Sequence, residues 1–328
     1  MTLSVINDKI SHTENVFLIV NMACFGDVLL TNSLCQNLKN NYPNCKIVYL
    51  VNKPYIDAAK YQNCVDDVVY MDKRNKHKGL LGIIKFVRSC KYKNKIDASF
   101  IIYGNPRGII VSKLLRAKHI VSSPPQFIRF LVTNIPSIDK TVIKAQEINA
   151  HLFQGFTSKK EKVLPIKYNT NPKNSFIVQK IRENYLNKDL IGLCFTSKSI
   201  SKDMPIEEAI KLINILNKQN KILLFLGSGA KARAYADNLK KQGCTNFVDL
   251  TNVTSIYDLS NILKICKCLI SVDTGTMHLG YAVECPTLCI FFQKNTAKKW
   301  APDENLYNVK VLDNNYSINE VISYIKKL

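Results

Sequence analysis

The stretch Leu269-Ile-Ser-Val-Asp-Thr-Gly-Thr-Met-His-Leu-Gly-Tyr-Ala-Val283 decides how the rest of the chain is interpreted. It predicts a buried β-strand, a tight turn at Asp273-Thr-Gly275 and a helix that begins near Thr276. Such a turn gathers a carboxylate, hydroxyl groups and His278 at a helix N-terminus, where N–H groups and the helix dipole favour a phosphate. An ordinary turn capped by the aspartate or the first threonine fits these residues equally well. The choice therefore depends on the rest of the chain.

Short apolar runs alternate with amphipathic segments along both halves of the chain. The predicted strands are 16–20, 46–51, 65–70, 98–103, 118–121, 190–195, 221–226, 247–249, 269–272 and 286–292. The predicted helices are 28–39, 79–90, 108–115, 147–156, 206–217, 231–241, 255–263, 276–283 and 318–327. This alternation indicates βαβ units and parallel sheets, an α/β fold of two doubly wound, Rossmann-like domains.

The polar segment 157–175, which Pro165 and Pro172 interrupt, predicts the domain boundary. We expect an N-terminal domain over 1–165 and a C-terminal domain over 166–328, with a closing helix that is free to pack back on the first. Loops at the carboxyl ends of the strands of both domains predict a cleft in which the two domains face each other.

Length and composition exclude several classes of protein. The 328 residues exceed one typical core, and 46% apolar with 22% charged residues is typical of a folded globular chain. No apolar run approaches the roughly 20 residues that span a bilayer, and the N-terminal residues lack the apolar segment of a secretory signal. The 11 cysteines include no Cys-x-x-Cys pair, so neither disulfides nor zinc are expected, and a reduced, cytoplasmic location follows.

The net charge of +21 favours a polyanionic partner: nucleic acid, an anionic membrane surface or a phosphorylated substrate. A generally lysine-rich composition explains the charge equally well. The segment Lys73–Lys95 carries nine Lys and Arg residues and no acidic residue around an apolar centre, which is typical of a basic amphipathic helix on a membrane. A core-packed helix with a solvated basic face fits as well. Lys85, Arg88 and Arg107 are the predicted contacts to an anionic acceptor or to the membrane.

Three further loops between a predicted strand and a predicted helix carry reactive or binding groups. In Phe25-Gly26-Asp27 the carboxylate is a general base or, as these residues alone favour, an N-cap. Hydroxyl groups and lysines in 196–202 suit a diphosphate, and a polar surface loop suits them equally. Leu226-Gly-Ser-Gly-Ala-Lys231 lacks the third glycine of a dinucleotide fingerprint, so Gly227 gives only a weak signal.

Together these loops resemble glycosyltransferase family 9, the ADP-heptose:lipopolysaccharide heptosyltransferases. The resemblance covers nearly the whole chain in the family's order. The matching elements are Gly26-Asp27-Val28-Leu29, Thr196-Ser197 with Lys202-x-x-Pro205, Gly227, and Val272–His278 with Ala282 and Pro286. It implies a GT-B architecture in which the first domain binds the acceptor and the second binds the nucleotide sugar.

The resemblance implies an inverting transfer with Asp27 as the catalytic base. The donor-binding residues that it implies are Thr196, Ser197, Lys202, Gly227, Asp273, Thr274, Gly275, Thr276 and His278. We expect heptose transfer from ADP-heptose to the lipopolysaccharide inner core, through an anionic lipid-linked saccharide acceptor at the cytoplasmic face of the inner membrane. We expect no metal and no cofactor. The family's usual residues are absent at Asn21, Ala23 and Cys24, at Met204, and around Lys231.

Two alternatives remain open at this level. One is a family 9 transferase that uses another nucleotide sugar or a protein acceptor. The other, from a different class, is a basic protein that binds nucleic acid without catalysis. No base-stacking aromatic cluster or reader motif supports the second alternative, so nucleic acid is not an expected partner.

Overall fold

The computed structural model describes residues 14–124, 127–157 and 159–328. The chain divides after Ile166 into two compact units, and unit 2 runs from Lys167 to Leu328. Within the described residues, no helix combines the length and the apolar composition that crossing a bilayer requires.

Unit 1 contains a parallel sheet that has five strands among the described residues, in the order β3-β2-β1-β4-β5. Its strands are β1 Val16–Asn21, β2 Lys46–Asn52, β3 Asp67–Met71, β4 Ala98–Ile101 and β5 His119–Ser122. Its helices are α1 Phe25–Leu30, α2 Asn32–Asn41, α3 Ile56–Lys60, α4 Gly79–Ser89, α5 Pro106–Leu114, α6 Ala145–His151 and α7 Gln154–Thr157.

The central strand β1 explains why the sheet is covered on both faces. Its residues Phe17 to Val20 are at most 1% exposed, as the continuous apolar run predicts for a strand between two helical layers. Leu18 and Val20 face a core that includes Ile83 and Phe86 of α4. The ring of Phe17, on the opposite face, packs edge-on against the ring of Phe156 in α7.

Unit 2 contains a second parallel sheet, with six strands in the order β11-β10-β9-β6-β7-β8 among the described residues. Its strands are β6 Leu190–Cys194, β7 Ile222–Phe225, β8 Val248–Asp249, β9 Cys268–Val272, β10 Thr287–Phe291 and β11 Val309–Asp313. Its helices are α8 Phe176–Asn184, α9 Ile206–Asn217, α10 Ala230–Lys241, α11 Ile256–Ile265, α12 Gly275–Ala282, α13 Lys294–Trp300 and α14 Ile318–Lys326.

The closing helix α14 belongs to unit 2. The sequence leaves open whether this helix packs back on the first domain. In the structure Val321 and Ile325 are buried in the apolar cluster that β6, β9 and α9 share. The apolar face of α14 is therefore buried within unit 2.

The strand order of each sheet creates a switch point, the place where the chain leaves one half of a sheet for the other. In unit 1 the chain adds β2 and β3 on one side of β1 and then adds β4 on the other side. In unit 2 the chain adds β7 and β8 on one side of β6 and then β9 on the other. Loops at the carboxyl ends of the two strands at a switch point form the usual ligand site of such sheets.

Several boundaries differ from those that the sequence predicts, and one difference concerns the predicted base. The first helix begins at Phe25 instead of Val28, so Asp27 lies inside its first turn. The helix ends at Leu30, and α2 begins after Thr31. The predicted strand 98–103 ends at Ile101, because Tyr103 adopts a left-handed conformation with φ of 57°. The sequence patterns also do not predict α3, α8, α13 and β11.

Candidate functional site

An ion pair joins the two strands at the switch point of unit 2. Asp273 directly follows β9, and Lys202 lies in the loop after β6. The Lys202 Nζ is 2.7 Å from the Asp273 Oδ2, and the aspartate side chain is only 6% exposed. The lysine side chain is 23% exposed, so an ammonium with three donors is fixed at this edge while still accessible. The pairing neutralises the buried carboxylate, which would otherwise repel a phosphate.

The N-terminus of α12 lies directly beyond this ion pair. Thr274 occupies the N-cap position with extended backbone, and its hydroxyl makes no capping hydrogen bond. The first N–H groups of a helix lack partners within the helix, so those that follow Thr274 suit an anion. Gly275 and the largely buried Thr276 form the first turn.

His278 is buried within α12. Its Nδ1 is within hydrogen-bond distance of the Tyr281 hydroxyl, one turn further along the helix. The two rings also meet edge-on. A role for His278 in binding the donor therefore stays a prediction.

Asp203, which the sequence analysis did not single out, shapes the loop after β6. Its Oδ1 accepts a hydrogen bond of 2.7 Å from the Ser197 N–H. The Lys231 Nζ, from α10, is 2.8 Å from the other carboxylate oxygen. Lys231 lies in the region where the resembled family commonly has an acidic residue, and here it braces the loop that carries Thr196 and Ser197.

Gly227 follows β7 and is required by close packing. A Cβ at this position would lie 2.8 Å from the Ala232 Cβ, too close for any side chain unless the helix moves. The same Cβ would lie 3.7 Å from the Thr196 Oγ1, so Gly227 borders the loop after β6. Gly229 has φ of +89° and donates its N–H to the Asn252 Oδ1 over 2.6 Å.

The side chain of Asp27, the predicted base, contacts groups that follow both strands at the switch point of unit 1, β1 and β4. Its Oδ1 accepts a hydrogen bond of 3.0 Å from the Tyr103 hydroxyl, which follows β4. Its Oδ2 accepts one of 3.0 Å from the N–H of Cys24, the N-cap residue of α1. The side chain is half-buried. Asp27 is therefore not the N-cap residue, which is the alternative that the residues of its loop favour; it closes the helix start from the third helical position, and its role as base stays a prediction.

Tyr103 is a second site residue that the sequence analysis missed. Burial, followed by the charge of Asp27, raises the pKa of its hydroxyl well above the ordinary value. The tyrosine therefore stays protonated and remains a neutral hydrogen-bond donor to the carboxylate. Its left-handed backbone turns the side chain at the end of β4, a strained conformation of the kind that often marks functional sites.

Asn21 takes a structural role at the end of β1. It is completely buried, and its Nδ2 donates to the Asp27 carbonyl oxygen over 2.9 Å. Its Oδ1 accepts from the Ala23 N–H over 3.1 Å. The side chain therefore holds both ends of the loop that leads to Asp27. Met204, another departure from the family pattern, is buried at 1% exposure in the core of unit 2.

Cations lie beside the loop between β1 and α1. The Lys73 Nζ donates to the Met22 carbonyl oxygen over 3.3 Å. Burial and then the nearby Arg107 lower the pKa of Lys73. The Arg107 Nη1 donates to the His77 carbonyl oxygen over 3.1 Å. This part of the edge is therefore prepared for an anionic group.

The other predicted acceptor or membrane contacts lie elsewhere on unit 1. Lys85 and Arg88 are exposed on the second half of α4. Because α4 connects two parallel strands, its second half runs away from the carboxyl edge that carries Asp27. The structure therefore groups Arg107 with the Asp27 loop and separates it from Lys85 and Arg88. Across the described residues, no group of three His, Cys, Asp or Glu side chains is placed to hold a metal ion.

Comparison with known proteins identifies similar sequences and folds. Residues 135–323 match the model of glycosyltransferase family 9 (heptosyltransferase). The glycosyl transferase family 9 structure from Veillonella parvula DSM 2008 has a TM-score of 0.83 at 17% identity, covering 97% of this chain and 92% of that one. No curated protein sequence matches the chain.

Two structures from E. coli are also similar. ADP-heptose lps heptosyltransferase II has a TM-score of 0.78 at 13% identity, covering 95% of this chain and 98% of that one. Heptosyltransferase WaaC, solved with ADP-2-deoxy-2-fluoro heptose, has a TM-score of 0.73 at 18% identity, covering 95% and 99% respectively. The likeness confirms the predicted fold class, GT-B with two Rossmann-like domains.

Proposed function

The chain belongs to glycosyltransferase family 9, the heptosyltransferases, and on that premise we propose that it transfers heptose from ADP-heptose to the inner core of lipopolysaccharide. The transfer inverts the anomeric centre. The observation that carries the proposal is the Lys202–Asp273 ion pair, which fixes an accessible ammonium next to the N-terminus of α12. The fold match to a heptosyltransferase solved with an ADP-heptose analogue supports the same donor.

Unit 2 holds the donor in this proposal. The diphosphate accepts hydrogen bonds from Lys202, from the Thr196 and Ser197 hydroxyls, and from the N–H groups of Thr274, Gly275 and Thr276. Gly227 leaves room beside Thr196, and Asp273 orients the lysine. Negative charge grows on the diphosphate as the sugar leaves, so donors that are already in place stabilise the transition state more than the ground state.

Unit 1 supplies the base. The acceptor hydroxyl gives its proton to the Asp27 carboxylate as its oxygen forms a bond to the anomeric carbon. The bond between that carbon and the diphosphate oxygen breaks, and the electron pair leaves with ADP. Hydrogen bonds from Tyr103 and from the Cys24 N–H hold the carboxylate in one orientation during this step.

The acceptor is an anionic, lipid-linked saccharide at the cytoplasmic face of the inner membrane. Lys73 and Arg107 support this choice, because they place positive charge beside the loop that carries the base. Phosphate and carboxylate groups of a saccharide core are natural partners for such cations. Lys85 and Arg88 contact the acceptor or the membrane from the exposed face of α4.

One observation favours a second candidate, a family 9 transferase with a different nucleotide sugar or a protein acceptor. Lys231 pairs with Asp203 at a place where the related family commonly presents an acidic residue to the donor. A donor with another base or sugar would meet a different set of groups there. Membership of an enzyme family, by contrast, favours catalysis over the nucleic-acid-binding alternative.

A donor screen tests the proposal. We expect ADP-heptose to raise the melting temperature more than ADP-glucose, UDP-, GDP- or CMP-sugars, and a heptose-free inner-core acceptor to receive the sugar. A larger shift with a non-ADP sugar, and turnover of that sugar, would replace the donor assignment. Salt-dependent binding of oligonucleotides without any sugar transfer would instead support the nucleic-acid-binding alternative.

A further inference from the structure

Four large apolar side chains of unit 1 are strongly exposed. Leu80 and Leu81, at the start of α4, are 65% and 81% exposed. Phe127 and Phe130, which follow β5, are 69% and 84% exposed. Single exposed apolar residues are ordinary, but paired leucines and paired phenylalanines are not expected on a surface that meets only water.

Both pairs lie on the side of the sheet where its strands have their carboxyl ends, one pair after β3 and the other after β5, which are the two outermost strands. Both pairs lie in segments that follow the carboxyl ends of parallel strands, and such ends meet at the same edge. Ile128 and Leu131 pack against the same apolar cluster as Ile83 of α4. The two segments therefore flank the covered face on which α4 and α5 lie. We call Leu80, Leu81, Phe127 and Phe130 the apolar edge.

The segment that carries the apolar edge is strongly cationic, although the neighbouring Asp67 and Asp72 pair with Lys91 and Lys53. Between Lys73 and Ile138 the sequence contains 14 Lys and Arg residues and a single acidic residue, Asp97. Asp97 is already paired, because its Oδ1 lies 2.7 Å from the Lys118 Nζ. The charge beside the apolar edge is therefore not neutralised by acidic residues of the same segment.

We propose that the apolar edge inserts into an anionic lipid bilayer and is the membrane-docking surface of this protein. Exposed leucine and phenylalanine side chains enter the boundary between headgroups and acyl chains, and the cations around them contact lipid phosphates. The proposal rests on the proposed function in one respect, which is that the acceptor is lipid-linked.

Geometry and charge favour a bilayer over a second copy of the chain. A segment with so large an excess of cations repels the same segment of a second copy, whereas anionic lipids attract it. Along a helix, seven residues span about 10 Å, so Arg88 lies about 10 Å from Leu81. With leucine inserted by about 5–10 Å, Arg88 comes to the level of the headgroups. Docking at this edge also brings the Asp27 loop, which lies at the same edge of the sheet, to the lipid surface.

Vesicle flotation of the full-length protein tests the docking surface. We expect binding to vesicles of phosphatidylglycerol and phosphatidylethanolamine, and much weaker binding to phosphatidylcholine or at high salt. The double variant Leu81→Ser/Phe130→Ser should bind the anionic vesicles at least about tenfold more weakly, because each side chain loses burial in lipid. Lys76→Glu/Lys78→Glu should weaken binding by about fivefold for each cation lost, and more at low salt.

A matched control is available in unit 2. Leu186 and Phe176 are 72% and 70% exposed, so Leu186→Ser/Phe176→Ser removes the same two residue types from a surface that is also strongly exposed. Unchanged flotation of this control, with loss in the Leu81/Phe130 variant, supports the proposal. Equal loss in both variants, full binding by the Leu81/Phe130 variant, or no flotation of the unmodified protein overturns it.

Activity separates this inference from the proposed function. The Leu81→Ser/Phe130→Ser variant should transfer sugar to a delipidated, water-soluble acceptor at the normal rate and lose rate only with the acceptor in vesicles. An unmodified protein that floats with anionic vesicles but transfers no sugar to either acceptor would contradict the proposed function and leave the docking surface intact. Normal vesicle-bound activity of the variant would contradict the docking surface alone.

Discussion

The switch points of the two units have the same topology but hold their carboxylates differently. In unit 1, Asp27 accepts hydrogen bonds from a tyrosine hydroxyl and a backbone N–H, which are both neutral donors. In unit 2, Asp273 is almost fully buried and contacts the ammonium of Lys202. One carboxylate keeps its negative charge uncompensated, and the other is neutralised by an adjacent cation.

The same topology therefore suits two roles in the proposed mechanism, which are proton transfer and the stabilisation of charge on the donor. A carboxylate that accepts hydrogen bonds from uncharged donors is held in one orientation, which suits the role of base that we propose for Asp27. A carboxylate paired with an ammonium fixes the position of that cation, which contacts the donor in the proposed mechanism. The comparison is consistent with the proposed mechanism, in which unit 1 takes the proton and unit 2 stabilises the charge of the donor.

The strongest test of this comparison removes the negative charge of the carboxylate at each switch point in turn. Asp27→Asn should lower kcat by a factor of about 10² to 10⁴, because the acceptor hydroxyl loses its base. Stabilisation by ADP-heptose, measured by thermal shift, should not change in this variant. Asp273→Asn should instead weaken that stabilisation. The comparison fails if Asp27→Asn retains normal transfer while Asp273→Asn loses it with donor binding intact.

Removal of the cation should have the next largest effect. Lys202→Met should raise the Kd for ADP, measured by calorimetry, by about 10- to 100-fold, because a charge-assisted hydrogen bond is lost and Asp273 is left without its cation. Lys188→Met removes an exposed lysine of unit 2 that donates only to the Asn220 side chain over 3.0 Å, and it serves as the control. Equal ADP affinity in both variants would assign Lys202 a purely structural role.

Removal of the neutral donor should have a smaller effect on catalysis. Tyr103→Phe should lower kcat by about three- to tenfold, because one hydrogen bond that orients the proposed base is lost while the Cys24 N–H still holds it. Tyr92→Phe removes the same type of bond, from Tyr92 to Asp67, at an outer strand of unit 1. The control should keep full activity, and an equal loss in both variants would point to a general effect on unit 1.

The smallest predicted effect concerns the ion pairs that brace unit 2. Burial alone would raise the pKa of Asp249, but hydrogen bonds from Lys240 and Thr251 outweigh it and hold the pKa below its ordinary value. The charged form is therefore favoured in the folded state. Its stabilisation is present above the unfolded pKa of about 3.9 and is lost as pH falls further.

Asp249→Asn should lower the free energy of unfolding by about 1 kcal/mol at pH 7, and the difference from the unmodified protein should shrink below about pH 4. Urea denaturation at several pH values measures both quantities. Asp237→Asn is the control, since Asp237 lies 4.0 Å from the same Arg233 and is half exposed. A pH-independent difference would exclude the ionisation of Asp249 as the cause.

Most of the fold followed from the sequence because its central strands are buried on both faces. Continuous apolar runs such as Phe17 to Val20 leave little doubt about a strand, and the alternation with helices predicts parallel sheets. Elements with weaker patterns were missed. In β11, exposed Lys310 and Asp313 interrupt the apolar run, as is common for a strand at the edge of a sheet.

The candidate site was only partly predictable. Asp27, Lys202 and Asp273 stand in recognisable loops, whereas Tyr103 meets Asp27 across 76 residues of sequence, a contact that no local pattern encodes. The start of α1 was also missed, because Cys24 is not a preferred cap residue and Gly26 is a poor helix former. Both misses concern tertiary contacts that outweigh local propensity.

The position of Asp27 in the first turn of α1 links catalysis to local unfolding. The carboxylate that we propose as the base also accepts the N–H of the N-cap residue, and the helix that it closes has only six residues. Fraying of this turn would release the base from its orientation without unfolding unit 1. Amide hydrogen exchange at Cys24 would therefore report how often the proposed base loses this hydrogen bond.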